Sequence, residues 1–136
     1  MTISKPLFRI LIALAVSAPL CVTAANHGSW LACANADPHT AARTNPYAGR
    51  QEAIMAGGKL YQRYCSSCHG KDAEGAGKAP ALRSPAVADA SPGALFWLLR
   101  NGSLKRGMPS WSHLPPEQRW QIVSWIQSLA RPQNGQ

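Results

Sequence analysis

Near the middle of a 136-residue chain stand two cysteines three positions apart, followed at once by a histidine: Cys65-Ser66-Ser67-Cys68-His69. Two thiols at this spacing can both reach the vinyl groups on one edge of a porphyrin. The adjacent histidine then brings its imidazole under the iron. C-x-x-C-H is the attachment pattern of a c-type haem. The chemistry it implies is redox, through a covalently held iron with a fixed proximal ligand, His69. The same two thiols could instead serve a thiol redox or zinc module. A second pair of ligands at metal spacing and a βαβ pattern would be needed for that, and neither is present in the sequence.

An iron that only moves electrons needs a second axial ligand, and a thioether there favours the reduced state. Of Met1, Met55 and Met108, only Met108 follows the haem motif. It lies in Arg106-Gly107-Met108-Pro109-Ser110-Trp111, where Gly and Pro make a loop able to fold over the far haem face. Met108 is the expected sixth ligand and Met55 the expected packing residue. Histidine is the alternative. His27 and His39 belong to a segment expected to be solvent-exposed, and His113, five residues past Met108, reads as a surface residue before the last helix. An open or labile sixth position would make the protein a haem enzyme or gas sensor instead of a carrier.

Three helices can be placed around these residues. The first spans about 51–64, with Glu52 in its first turn and Ile54, Gly57, Gly58, Tyr61 and Tyr64 or Cys65 at helical spacing. Its two glycines each cost about 1 kcal/mol relative to alanine, which suggests close approach by another helix. In the second, Ser91 is the N-cap, Pro92 the first helical residue and Gly102 the stop. The third begins at Pro115-Pro116-Glu117, ends before Pro132, and carries Trp120, Ile122, Val123, Trp125, Ile126 and Leu129. No stretch alternates as a strand, so the expected fold class is all-α with long loops.

The chain opens as an exported protein does. Lys5 and Arg9 precede an apolar run at residues 10–16, and small residues follow at Thr23, Ala24 and Ala25. The run is shorter than the ~20 residues of a spanning helix, and Pro19 lies near its end. The expected organisation is a signal peptide over 1–25, a flexible leader over 26–49, a haem domain over 50–131 and a tail over 132–136. Cys21 would leave with the signal, and Cys33 would remain as an unpaired thiol, without a convincing lipobox for lipid attachment. Loss of Lys5 and Arg9 takes the 14 basic residues to 12, against 6 acidic ones. A basic carrier is steered towards an acidic partner surface. The basic residues are scattered, so nucleic-acid binding is not expected.

Residues 50 to 130 together resemble the class I cytochromes c. In that family a glycine and an aromatic stand eight and four residues before the first haem cysteine, here Gly57 and Tyr61, and the last helix crosses there with an aromatic, here Trp125. A proline in a Pro-x-Leu turn offers its carbonyl to the haem histidine, and Pro80-Ala81-Leu82 stands at that place. The resemblance implies the cytochrome c fold, three main helices around one haem c, with Cys65 and Cys68 as covalent attachments and His69 and Met108 as axial ligands. Pro80, Leu82, Trp97, Arg100 and Trp111 are the candidates for the haem pocket. Core packing of the two tryptophans and a solvated Arg100 are the alternatives. The 96–111 segment looks like that of small bacterial periplasmic cytochromes serving dehydrogenases, quinoprotein alcohol or sugar dehydrogenases among them. It implies a single-electron carrier between a dehydrogenase and a respiratory acceptor.

Overall fold

The computed structural model describes residues 36–130. The expected signal peptide, Cys21, His27, Cys33 and the tail lie outside the described residues.

Six helices are described in this span: α1 (Pro38–Ala41), α2 (Gln51–Tyr64), α3 (Ser66–His69), α4 (Pro85–Ala88), α5 (Pro92–Asn101) and α6 (Pro116–Ala130), with a 3₁₀ turn at Leu104–Arg106. Among the described residues there is no strand, only two isolated bridges, Ala76 with Ala79 and Ser103 with Met108. No helix of this span is long and apolar enough to cross a membrane. The all-α expectation and the three main helices match this architecture.

The fold is organised by the crossing of α2 and α6. A Cβ at Gly57 would stand 1.9 Å from the backbone oxygen of Gln121, and one at Gly58 would stand 3.0 Å from the Trp125 ring. Only glycine lets the two backbones come this close. One turn later Tyr61, fully buried, stacks on Trp125 with ring centroids 4.1 Å apart. The helical cost of the two glycines is thus offset by a contact that no side chain could share. Met55 departs from expectation: at 58 % exposure it packs into no core.

α5 is bounded as the sequence implies. The Ser91 hydroxyl accepts from the Ala94 N–H, and Gly102, at φ +71°, ends the helix. Its N-terminal end is also held from outside. Ser91 Oγ donates to the Ala41 carbonyl at 2.8 Å, and a Cβ at Gly93 would lie 2.0 Å from the Thr40 carbonyl. The described part of the expected leader is therefore built into the fold. Asn45 is buried, and its side-chain amide donates to Ser124 Oγ and the Trp120 carbonyl on α6. Those partners lie more than seventy residues away, and the boundary expected at residue 50 leaves Asn45 just outside the domain that it helps to hold.

Candidate haem site

The short helix α3 carries the motif. It continues directly from α2: the Cys65 N–H bonds the Tyr61 carbonyl, and the Cys68 and His69 N–H groups both bond the Cys65 carbonyl. Tyr61 reaches the same segment through its hydroxyl, which donates to the Gly70 carbonyl. The ring that fills the helix crossing thus also fixes the residue after His69. Burial, and next the neighbouring Cys65 thiol, pushes the Tyr61 phenol up from 10.0 to about 12. Burial likewise pushes the Cys65 thiol up to about 12. An uncharged sulfur is what the site tolerates there, and a thioether is uncharged at every pH.

The His69 ring is oriented by a second contact. Its Nδ1 lies 2.9 Å from the Pro80 carbonyl oxygen. A carbonyl can only accept, so Nδ1 carries the proton and Nε2 keeps its lone pair for a metal. The loop that delivers Pro80 is pinned by backbone bonds from Gly75 N–H to the His69 carbonyl and from Leu82 N–H to the Ala73 carbonyl.

Met108 arrives from the other end of α5. Ser103 and Met108 exchange backbone hydrogen bonds at 2.9 and 3.2 Å, and the Trp111 N–H bonds the Leu99 carbonyl. Ser110 Oγ donates to the Arg100 carbonyl at 2.6 Å. Gly102 leaves no room for a side chain, since a Cβ would meet the Met108 oxygen at 2.7 Å. The loop is therefore closed onto the C-terminal turn of α5.

Cys65, Cys68, His69 and Met108 all line one cavity of about 1010 Å³. Its walls are mostly apolar: Leu95, Leu98 and Leu99 from α5, Val87 from α4 and Ile126 from α6. The volume, the apolar walls, two thiols, an imidazole with a free Nε2 and a thioether fit a porphyrin with its iron. Lys78, Lys105 and Arg106 also line it, and no carboxylate among the described residues does.

Of the pocket candidates, Pro80, Leu82 and Trp111 line this cavity; Trp97 and Arg100 do not. Trp97 packs against the core and Arg100 is exposed. The reason is helical phase. Leu95, Leu98 and Leu99 share one face of α5, which turns Trp97 and Arg100 elsewhere. Tyr64, expected on the inward face of the first helix, is also a wall residue of the cavity; its ring lies 5.5 Å from Trp111. Its position next to Cys65 was the available signal. His39 and His113 are both exposed, as expected, and neither lines the cavity.

Residues 52–126, more than half of the chain, match the protein family described as cytochrome c oxidase, cbb3-type, subunit III. The chain belongs to this cytochrome c family. Similar solved structures are cytochromes of the same fold. Cytochrome cL from the marine methylotroph Methylophaga aminisulfidivorans is 31 % identical, with a TM-score of 0.55, covering 62 % of this chain and 58 % of that one. Cytochrome cL from Hyphomicrobium denitrificans is 24 % identical, TM-score 0.52, covering 60 % and 49 %. The c-type cytochrome XoxG from Methylobacterium extorquens is 22 % identical, TM-score 0.51, covering 57 % and 50 %. This cytochrome thus spans about half the length of the structures it resembles. No curated protein matches the sequence. Membership of the family makes this a haem c protein.

Proposed function

We propose that this cytochrome is a periplasmic single-electron carrier whose iron is ligated by His69 and Met108, taking electrons from a dehydrogenase and passing them to a respiratory acceptor. The carrying observation is that both side chains line one apolar cavity, each on a segment closed by its own backbone hydrogen bonds. When bound, the haem supplies a reversible one-electron couple. The residues supply the rest. Cys65 and Cys68 hold the group covalently. Pro80 accepts from Nδ1–H, keeps the imidazole in one tautomer and raises the basicity of Nε2. The leucines of α5 exclude water. With both axial positions taken by protein, no substrate need reach the metal. The exported N-terminal pattern supports the compartment. Likeness to cytochrome cL supports a dehydrogenase as donor, of quinoprotein type by the resemblance of the 96–111 segment. The basic cavity rim of Lys78 and Lys105 supports an acidic docking face on the partner.

Replacing Met108 tests the ligation. Met108→Ala should lower the reduction potential and let the reduced protein bind carbon monoxide at neutral pH, which the parent protein should not do. An unchanged potential would assign the sixth position to another residue. The donor is tested by pull-down from periplasmic extract, followed by reduction of the haem-loaded protein by the captured dehydrogenase. Capture of proteins that cannot reduce it would overturn the proposed role.

A further inference from the structure

On the side of α5 turned away from the cavity, three arginines gather around two stacked rings. Phe96 and Trp120 lie 4.1 Å apart at 17°. The Arg119 guanidinium lies 4.8 Å from the Phe96 centroid. That of Arg43 lies 5.0 Å from Phe96 and 5.3 Å from Trp120. Arg100 follows Phe96 by one helical turn. Arg43 and Arg100 are exposed, whereas Arg119 is only 5 % exposed, and its Nε and Nη1 are buried without a hydrogen-bond acceptor.

This arrangement is electrostatically incomplete. Guanidinium groups stay protonated in proteins, so Arg119 brings a charge that cannot be shed. A cation–π contact with Phe96 returns less than burying an unpaired ion costs. The two neighbouring arginines add repulsion. Burial first, then Arg100 and Arg43, lower the Arg119 pKa. The haem does not supply the missing charge, because none of Arg43, Phe96, Arg100, Arg119 and Trp120 lines the cavity. Asp37, which caps α1, is committed to the backbone and hydroxyl of Thr40.

We propose that Arg43, Arg100 and Arg119 form a binding site for an oxyanion, a phosphate or carboxylate group, separate from the haem site. Guanidinium groups suit such ligands because their N–H forks match the oxygen spacing. Exposed Arg43 and Arg100 would capture the anion and Arg119 would complete its hydrogen bonds. The oxyanion can come free from solution or as a carboxylate displayed by a partner protein.

Calorimetric titration of the haem-loaded ferric protein tests this, using inorganic phosphate at an ionic strength held constant with sodium chloride. A hexaglutamate peptide is the second probe. One saturable site is expected, weakened about tenfold by Arg119→Gln and separately by Arg43→Ala, and unchanged by Lys59→Ala, an exposed lysine on α2. Arg43 is exposed, so its variant reports even if Arg119→Gln fails to fold. Phosphate binding tighter than the peptide assigns the site to free anions; the reverse order assigns it to a protein carboxylate. No saturable binding of either probe, or binding lost in Lys59→Ala but kept in both arginine variants, overturns the proposal. The readout does not involve electron transfer, so it stands or falls apart from the proposed redox role.

Discussion

The two ends of the cavity are held in different ways. At the His69 end, a helix crossing, a stacked aromatic pair and a tyrosine hydroxyl bear on the motif, with Gly57 and Tyr61 buried and Trp125 half-buried. At the Met108 end, backbone hydrogen bonds close a loop onto α5, and Leu104, Lys105, Arg106 and Gly107 are exposed, Leu104 at 76 %. The first end is tertiary packing and the second is local loop geometry. Stability should therefore be concentrated at the His69 end. Damage at the Met108 end should alter iron chemistry while leaving the fold in place.

The largest expected loss of stability comes from Tyr61→Ala. It removes a fully buried ring together with its stack on Trp125, so denaturant unfolding should show about 3–5 kcal/mol of destabilisation. A loss below about 1 kcal/mol would mean that the crossing does not depend on the ring. Gly57→Ala comes next. Alanine would gain about 1 kcal/mol of helix propensity. Its Cβ, however, would stand 1.9 Å from the Gln121 carbonyl oxygen, a backbone atom that moves only with α6. Overpacking of this kind costs about 1–3 kcal/mol or more, and the clash should win. A variant more stable than the parent would break the contrast between the two ends.

Met108→Ala should sharpen it. Met108 is half-buried on a loop closed by backbone hydrogen bonds and by Ser110, so most of the structure around it survives truncation. Far-UV circular dichroism should be unchanged while the potential falls. If the helices melt with the loss of Met108, the loop carries more of the fold than its hydrogen bonds suggest.

Much of this contrast is legible in the sequence, and the physical reason is locality. Helix ends are written in adjacent residues, so Ser91, Pro92 and Gly102 mark α5 correctly. Pro80 stands eleven residues after His69, where the resemblance to class I cytochromes c implies a carbonyl partner for the imidazole, and its carbonyl does meet that ring. What was not legible depends on which face of a helix meets which neighbour. Trp97 and Arg100 are chemically plausible pocket residues, and only the phase set by Leu95, Leu98 and Leu99 excludes them. A helical wheel of α5 held that information. Asn45 is different in kind. Its partners on α6 are fixed by tertiary contact across most of the domain, and nothing in its local sequence encodes them.

The smallest effect, and the finest test of the His69 end, is Tyr61→Phe, which keeps the ring and its stack but removes the hydroxyl bond to the Gly70 carbonyl. Near neutral pH the loss should be about 1 kcal/mol, that of one hydrogen bond. The pH dependence has a definite sign. In the folded protein the phenol ionises only near 12, whereas in the unfolded chain it does so near 10. Below 10 both states hold the proton and the contribution of Tyr61 is complete. As pH rises from 10 towards 12 the unfolded chain releases its proton first, and parent stability declines. Phenylalanine has no proton to release, so the gap between parent and Tyr61→Phe should narrow over this window. Part of the upward shift comes from the Cys65 thiol, and that part vanishes once Cys65 is a thioether. The haem-loaded protein should therefore show a narrowing of the same sign and smaller size. Urea unfolding of both proteins at pH 7 and pH 11 measures it. A gap that stays constant would mean that the hydroxyl is not held in the buried crossing, and that packing alone ties α2 to the haem motif.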